Sequence, residues 1–248
     1  MPKKIQIKFV SKVKGIADLF PVIKASEYKR EWVNEVIKDY KQNHKNHEHL
    51  MRCPGIFSLL NEGYIFRTWH DIIIKTEKGK KGFYWEIPIS KENNELYFVK
   101  NIVEAQTEEV TKWFPKKEGQ SETLIKLNSP INVIAPKGIR FLIAPIPYPD
   151  EFNFECVSGI LNPVDSSEIN IQLKWFKEDG EVYIKAGTPI AHLIPLCNTN
   201  QEIEIVNRDA NKKELECLDK LSKLRLLTFS LHKYKHKIQK IYKEYFWN

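Results

Sequence analysis

Apolar and polar residues alternate with a period of two along most of this chain, and recur at three- and four-residue steps towards its two ends. Over residues 4–10, Ile5, Ile7 and Phe9 fall on one face and Lys4, Gln6 and Lys8 on the other, which predicts a half-buried strand. Residues 26–43 read as a helix. Ser26 can cap it, and Trp32, Val36 (or Val33), Ile37 and Tyr40 supply its apolar stripe. The polar run 44–49 reads as a loop. A short helix or turn after Cys53-Pro54 ends near Gly63. Aromatic and β-branched strands follow over 64–69 and 70–75, then a basic turn at 78–82 and a return strand at 83–87. Residues 104–114 fit either a short helix or an extended segment, and 116–122 a loop.

Further strands are predicted at 123–127, 131–134, 139–145, 154–161, 168–176, 182–185 and 190–196. Pro145, Pro147 and Pro149 mark an extended stretch outside any ladder. Short strands at regular spacing predict a mainly β fold, a barrel or a sandwich. Residues 212–246 then form one amphipathic helix, or two with a break near Ser230. Leu224, Leu227, Leu231, Tyr234, Ile238, Ile241 and Tyr245 make its seam, and a row of lysines faces away. The expected organisation is an N-terminal strand and helix packed on the core (1–51), a β domain (52–198), and a basic helical extension (199–248).

Composition narrows the class. With 248 residues, 42% hydrophobic and 12% aromatic, the chain can bury a sizeable core. The net charge of +7 permits a polyanionic partner but says nothing about fold. No run approaches the ~20 apolar residues that a bilayer requires, so no membrane is expected. Met1-Pro2-Lys3-Lys4 leads into a strand and not an apolar leader, so the expectation is a protein that is not secreted. Cys53, Cys156, Cys197 and Cys217 form no C-x-x-C pair and read as free thiols of a reducing compartment.

The richest segment runs from Glu155 to Leu196. A Gly159-Ile160-Leu161-Asn162 turn and a Gly187-Thr188-Pro189-Ile190-Ala191-His192 strand bracket what reads as a hairpin, with the two glycines supplying positive φ at its corners. With Ala135-Pro136-Lys137-Gly138 upstream, this order resembles that of trimeric dUTPases and related β-clip deaminases. The resemblance implies a β-clip or dUTPase-like β fold (a jelly-roll-like sandwich is the other arrangement considered), and a nucleotide pocket at the Gly159–Asn162 turn. Asn162 stands where that family has its catalytic aspartate, and an amide cannot act as a base. Pro163 and Val164 replace the family's sugar-stacking tyrosine, and its phosphate-binding Pro-Arg-Ser-Ser-Gly motif is absent. The implied pocket therefore binds without dUTPase catalysis. Residues 50–197, with "RCPGIFSLLNEGYIFRTWHDIII", "APKGIRFLIAP" and "GTPIAHLIPL", also resemble an uncharacterised conserved protein family of marine tailed phages. That implies a viral protein of the host cytoplasm or the virion.

Candidate ligand-binding residues are Asp71, Trp69, Gly159, Asn162 and His192, and the catalytic residues and any cofactor stay unassigned. Adjacent His70 and Asp71 point to opposite faces if they lie in a strand, so they make a poor metal pair. His44, His47 and His49 have metal-like density without paired zinc spacing. The leading expectation is a small-ligand-binding, nucleotide-binding included, viral β-barrel protein. The alternatives are a structural protein forming a homo-oligomer through residues 212–246, and a metal-dependent oxygenase or diverged nucleotide hydrolase. Nucleic acid is the less favoured partner of the C-terminal helix, because no base-reading module is visible.

Overall fold

The computed structural model describes residues 4–43, 49–88, 102–197, 202–226 and 231–247. Among them the strands are β1 (Ile5–Ser11), β2 (Ile23–Lys24), β3 (Tyr64–Arg67), β4 (Ile72–Thr76), β5 (Tyr84–Glu86), β6 (Val103–Ala105), β7 (Ile125–Ile134), β8 (Arg140–Ala144), β9 (Phe154–Cys156), β10 (Gly159–Leu161), β11 (Glu168–Trp175), β12 (Gly180–Ile184), β13 (Pro189–Leu196) and β14 (Ile203–Asp209). The helices are α1 (Ile16–Leu19), α2 (Glu31–Gln42), α3 (Pro54–Asn61), α4 (Glu108–Thr111), α5 (Lys212–Leu226) and α6 (Leu231–Phe246).

The fold is mainly β and sandwich-like. The described strands form three sheets and no closed barrel. One sheet runs β14-β1-β7-β11-β9 with β6 also on β7, a second runs β10-β8-β13-β3-β2, and a third runs β12-β4-β5. One hydrophobic core takes side chains from all three. Strand β11 shows why. Its burial alternates strictly, with Ile169, Ile171, Leu173 and Trp175 inward, as the two-residue period of a strand requires. Phe9 of β1 meets Tyr64 of β3 and Phe141 of β8 at 6.1 and 6.2 Å between ring centroids, joining the first two sheets.

Proline decides where β7 changes partner. Residues 125–127 pair with β6, and 131–134 pair with β1. Pro130, which has no N–H to donate, sits at the handover. Its carbonyl accepts from Lys12 N at 2.9 Å, and the Ser129 hydroxyl accepts from Ile131 N at 2.9 Å.

Several elements differ from the sequence expectation. The helix predicted from Ser26 starts at Glu31, because residues 25–27 close a separate 3-10 turn and Arg30 is already extended. The predicted strand 154–161 is two strands in different sheets, split at Val157-Ser158. Gly159 and Gly187 bracket no hairpin: β10 and β13 lie on opposite flanks of β8, while the intervening β11 and β12 belong to other sheets. Gly187 has φ of +87°, as a corner needs, whereas Gly159 is an ordinary strand residue without positive φ.

Residues 203–209, within the stretch expected to be helical, form β14, which pairs in parallel with the whole of β1. Its polar side chains tie down the chain after β1. The Asp209 carboxylate accepts from Gly15 N, and the Asn207 side chain exchanges two hydrogen bonds with the backbone of Val22.

The helical extension therefore starts at Lys212 and is described as α5 and α6, and the break expected near Ser230 lies outside the described residues. Its N-terminus carries a reciprocal cap. Asn211 Oδ1 accepts from Glu214 N, and Glu214 accepts from Asn211 N, each at 2.9 Å. Cys217 and Leu221 pack against Ile238, Ile241 and Tyr242, and Leu218 packs on Val10 and Ile134 of the first sheet. The Tyr242 hydroxyl accepts from Ala135 N at 3.1 Å, and Trp247 Nε1 donates to Ala135 O at 3.0 Å. The apolar seam expected to join a second subunit is thus buried within the chain at these positions. Among the described residues no helix is long and apolar enough to cross a membrane.

Candidate functional site

Asp71, the carboxylate singled out from the sequence, lies in the bend between β3 and β4 and not in a strand. Its Oδ1 accepts from Ala186 N at 2.7 Å. The neighbouring Thr68 hydroxyl donates to Lys185 O at 2.7 Å and accepts from Thr188 N at 3.1 Å, while its backbone bonds Thr188 and Gly187. Together they clamp the turn from β12 to β13. Tyr183 also hydrogen-bonds Asp71, which raises the phenol pKa.

The other sequence candidates have local structural partners too. Trp69 is buried against Phe66, with ring centroids 6.0 Å apart and its indole N–H unpartnered among the described residues. Asn162 donates to Asp165 at 2.8 Å, and its carbonyl accepts from Asp165 N and Ser166 N, closing a turn. His192 is buried, and its Nε2 donates to Glu62 O at 2.5 Å. Burial lowers the His192 pKa, and the same cause lowers that of His70. His49 bridges Asp39 and Met51 N beside the Tyr40 ring. His44 and His47 lie outside the described residues. Among those described, no three His, Cys, Asp or Glu side chains cluster as a metal site would require.

A cleft of about 530 Å³ opens elsewhere, between the proline-rich connection after β8, strand β9 and the start of β13. Its walls are apolar: Ile146, Phe152, Phe154, Phe176, Pro189 and Ile190. Phe154 stacks on Trp175 with ring planes 7° apart, which fixes its face. Polar groups line it as well. Tyr28 bonds Asp150, and burial followed by the Asp150 charge raises its pKa. Lys117 sits 5.7 Å from the centre of the Phe176 ring and pairs with Glu155 at 2.7 Å. Burial alone would raise the Glu155 pKa, but the Lys117 and Lys174 ammonium groups bring it below its usual value.

The rim is exposed and strained. Phe152 is 76% and Tyr148 51% exposed. Tyr148, held between two prolines, adopts φ of +51°, a left-handed conformation costly for a tyrosine. The one thiol lining the cleft, Cys156, is buried and has its pKa pushed up to about 12, so it stays protonated. Behind Tyr28 lies Arg30, 4% exposed, with its guanidinium 4.7 Å from the ring centre. Among the described residues only its Nη1 finds an acceptor, the Tyr28 carbonyl at 3.4 Å.

Asp71, Trp69, Gly159, Asn162 and His192 do not line this cleft. The sequence reading missed it because its walls come from residues 28, 117, 145–156, 176 and 188–190, with no common motif. The alternating prolines and the Phe152/Phe154 pair were the available signal.

No family model matches the chain, and no curated protein matches it. Among solved structures, a mutant dUTPase from phage phi11 of S. aureus aligns with 66% of this chain and 91% of its own, at 9% identity and a TM-score of 0.32.

Proposed function

We propose that this protein binds a small, flat organic ligand of nucleobase size in the cleft between Tyr28, Phe154 and Phe176, and holds it without chemical turnover. The observation that carries this reading is the cleft itself. A concave site of about 530 Å³ with aromatic and proline walls and a few polar groups has the character of a small-molecule site. The stacked Phe154 offers a rigid face, and the Asp150 and Glu151 carboxylates offer acceptors to ring N–H groups.

Charge limits the ligand. Asp150, Glu151 and Glu155 line the cleft with a single lysine, and that lysine is already paired. A triphosphate would be repelled there, whereas an uncharged or cationic ring system is accommodated. The protonated Cys156 thiol offers no nucleophile to a ligand held there. As a phage protein, the setting its sequence resemblance implies, it would act in the host cytoplasm or on the virion.

Thermal shift and calorimetry with nucleobases, nucleosides, nucleotides and cationic heteroaromatics test the reading. A ligand at about 100 times its Kd adds about 2.7 kcal/mol to stability. A base or nucleoside is expected to stabilise the protein, its triphosphate less so, and Phe176→Ala to weaken binding at least about tenfold. No stabilisation by any compound, or equal stabilisation of the Phe176→Ala variant, would sink it.

A further inference from the structure

We propose that a basic groove along α6 and the ends of β1, β7 and β8 binds the phosphodiester backbone of a nucleic acid. Three neighbouring clefts on this side of the molecule share lining residues. Trp247 lines both the first and the second, and Lys137 both the second and the third. Among the described residues the cations lining the path are Lys240, Lys243, Lys4, Lys8, Lys137 and Arg140, and the one lining carboxylate is Glu244.

Elsewhere on the described surface some lysines are neutralised by a glutamate and others, Lys29, Lys38 and Lys41 among them, are not. Lys12, Lys75, Lys80, Lys81, Lys116, Lys117, Lys126 and Lys174 each have a glutamate within ion-pair distance. In the groove, Lys4 pairs with Glu202 and Lys240 with Glu244, and Lys8 feels the Glu214 carboxylate. Lys137, Arg140 and Lys243 have no carboxylate within 4 Å among the described residues, and Lys243 instead lies 5.8 Å from the centre of the Trp247 ring. Six cations to one carboxylate in the described lining make a local excess of positive charge along this track.

The fold aligns these groups. Burial of Ile238, Ile241 and Tyr242 turns Lys237, Lys240 and Lys243 outward. The hydrogen bond that the Tyr242 hydroxyl accepts from Ala135 N and the one that Trp247 Nε1 donates to Ala135 O hold that row beside Lys137. A line of ammonium and guanidinium groups, three of the six without an ion pair among the described residues and with little acid in the lining, is the electrostatic footprint of a phosphate-backbone partner, recognised by counterion release and not by base sequence.

Fluorescence anisotropy with single-stranded DNA, single-stranded RNA and duplex DNA, each of unrelated sequences, tests the proposal. Anionic vesicles serve as a parallel arm. Binding is expected to be indifferent to sequence and to fall steeply with salt, with a log–log slope of about −0.7 per phosphate neutralised on single strands and about −0.9 on duplex. The arm with the higher affinity identifies the form preferred. The triple variant Lys137→Glu, Arg140→Glu, Lys243→Glu should weaken binding at least about tenfold. Lys29→Glu, Lys38→Glu, Lys41→Glu, with the same change in net charge outside the groove, should weaken it far less. Single Lys137→Ala and Lys243→Ala changes, which leave the fold intact, should each lower the salt slope by about one. No binding to any oligonucleotide at about 50 mM salt, equal weakening by both triple variants, or binding to vesicles alone overturns the proposal.

Discussion

The carboxylate of Asp71 accepts the backbone N–H of Ala186 at 2.7 Å, across 115 residues of sequence. It anchors the turn that launches β13, the strand to which both β3 and β8 pair. A charge-assisted bond of this length contributes about 1.5–3 kcal/mol. Asp71→Ala should lower stability in urea by about that amount, while Asp71→Asn, which keeps an acceptor, should recover part of it. Asp71→Asn, which keeps the turn before Thr188 and Pro189 anchored, should leave ligand affinity in the aromatic cleft unchanged. A stable Asp71→Asn variant that had lost ligand binding would place this carboxylate in the functional site.

Gly63 and Gly79 both have positive φ, +70° and +79°. At Gly63 a β-carbon would fall against the Leu193 carbonyl oxygen in β13, whereas at Gly79 nothing lies within 4 Å. Gly79→Ala should cost only the left-handed penalty of about 1–2 kcal/mol. Gly63→Ala adds a clash with backbone that cannot rotate away, and should cost clearly more, above about 3 kcal/mol or a failure to fold. Equal midpoints for the two variants in denaturant melts would contradict the close approach.

His192 is buried, with its pKa below the ordinary 6.5. Above pH 6.5 both folded and unfolded chains carry it neutral. As pH falls below 6.5 the unfolded chain takes up a proton that the folded chain refuses, so stability declines down to the folded pKa. The slope approaches about 1.4 kcal/mol per pH unit. His192→Gln keeps a donor for Glu62 O, and should flatten the part of the pH–stability curve just below 6.5.

Glu214 closes the cap of α5 and pairs with Arg208 through two bonds of 2.6 and 2.7 Å. Burial opposes the charge, but the Arg208 and Asn211 bonds hold the Glu214 pKa below its usual value. Its contribution is present above about pH 4.5 and is lost as pH falls through the folded pKa. Asn211→Ala should cost about 1 kcal/mol. Glu214→Ala should cost more, because it also strands Arg208, and its penalty should shrink at acid pH while that of Asn211→Ala persists. Equal penalties at pH 7 would mean that the ion pair adds nothing to the cap.

Legibility in the sequence followed periodicity. Strand β11 is readable because every second residue is large and apolar, and all four of these are buried. Strand β14 was not, because only Ile203 and Ile205 mark its inward face, while Asn207 and Asp209 serve hydrogen bonds to residues some 190 positions away. Asp71 looked chemical because a carboxylate among aromatic residues commonly is. One partner the structure gives it, a backbone amide 115 residues on, carries no side-chain signature.

By itself the sequence determined the mainly β class, the short helix before Gly63, the hairpin with the basic tip, and amphipathic helix towards the C-terminus with lysines opposite an apolar seam. These follow from local alternation and turn chemistry, which a chain expresses within ten or so residues. Only the tertiary structure decided that the strands form open, sandwich-like sheets, that β10 and β13 flank β8, and that the C-terminal seam closes on the first sheet. It also decided that Tyr28, Phe154, Phe176 and Thr188 face one cleft, and that Lys137 and Lys243 share one groove. The reason is common to all of these. Packing between elements depends on which buried faces meet and which backbone groups find partners across long separations, and that information is spread over the whole chain.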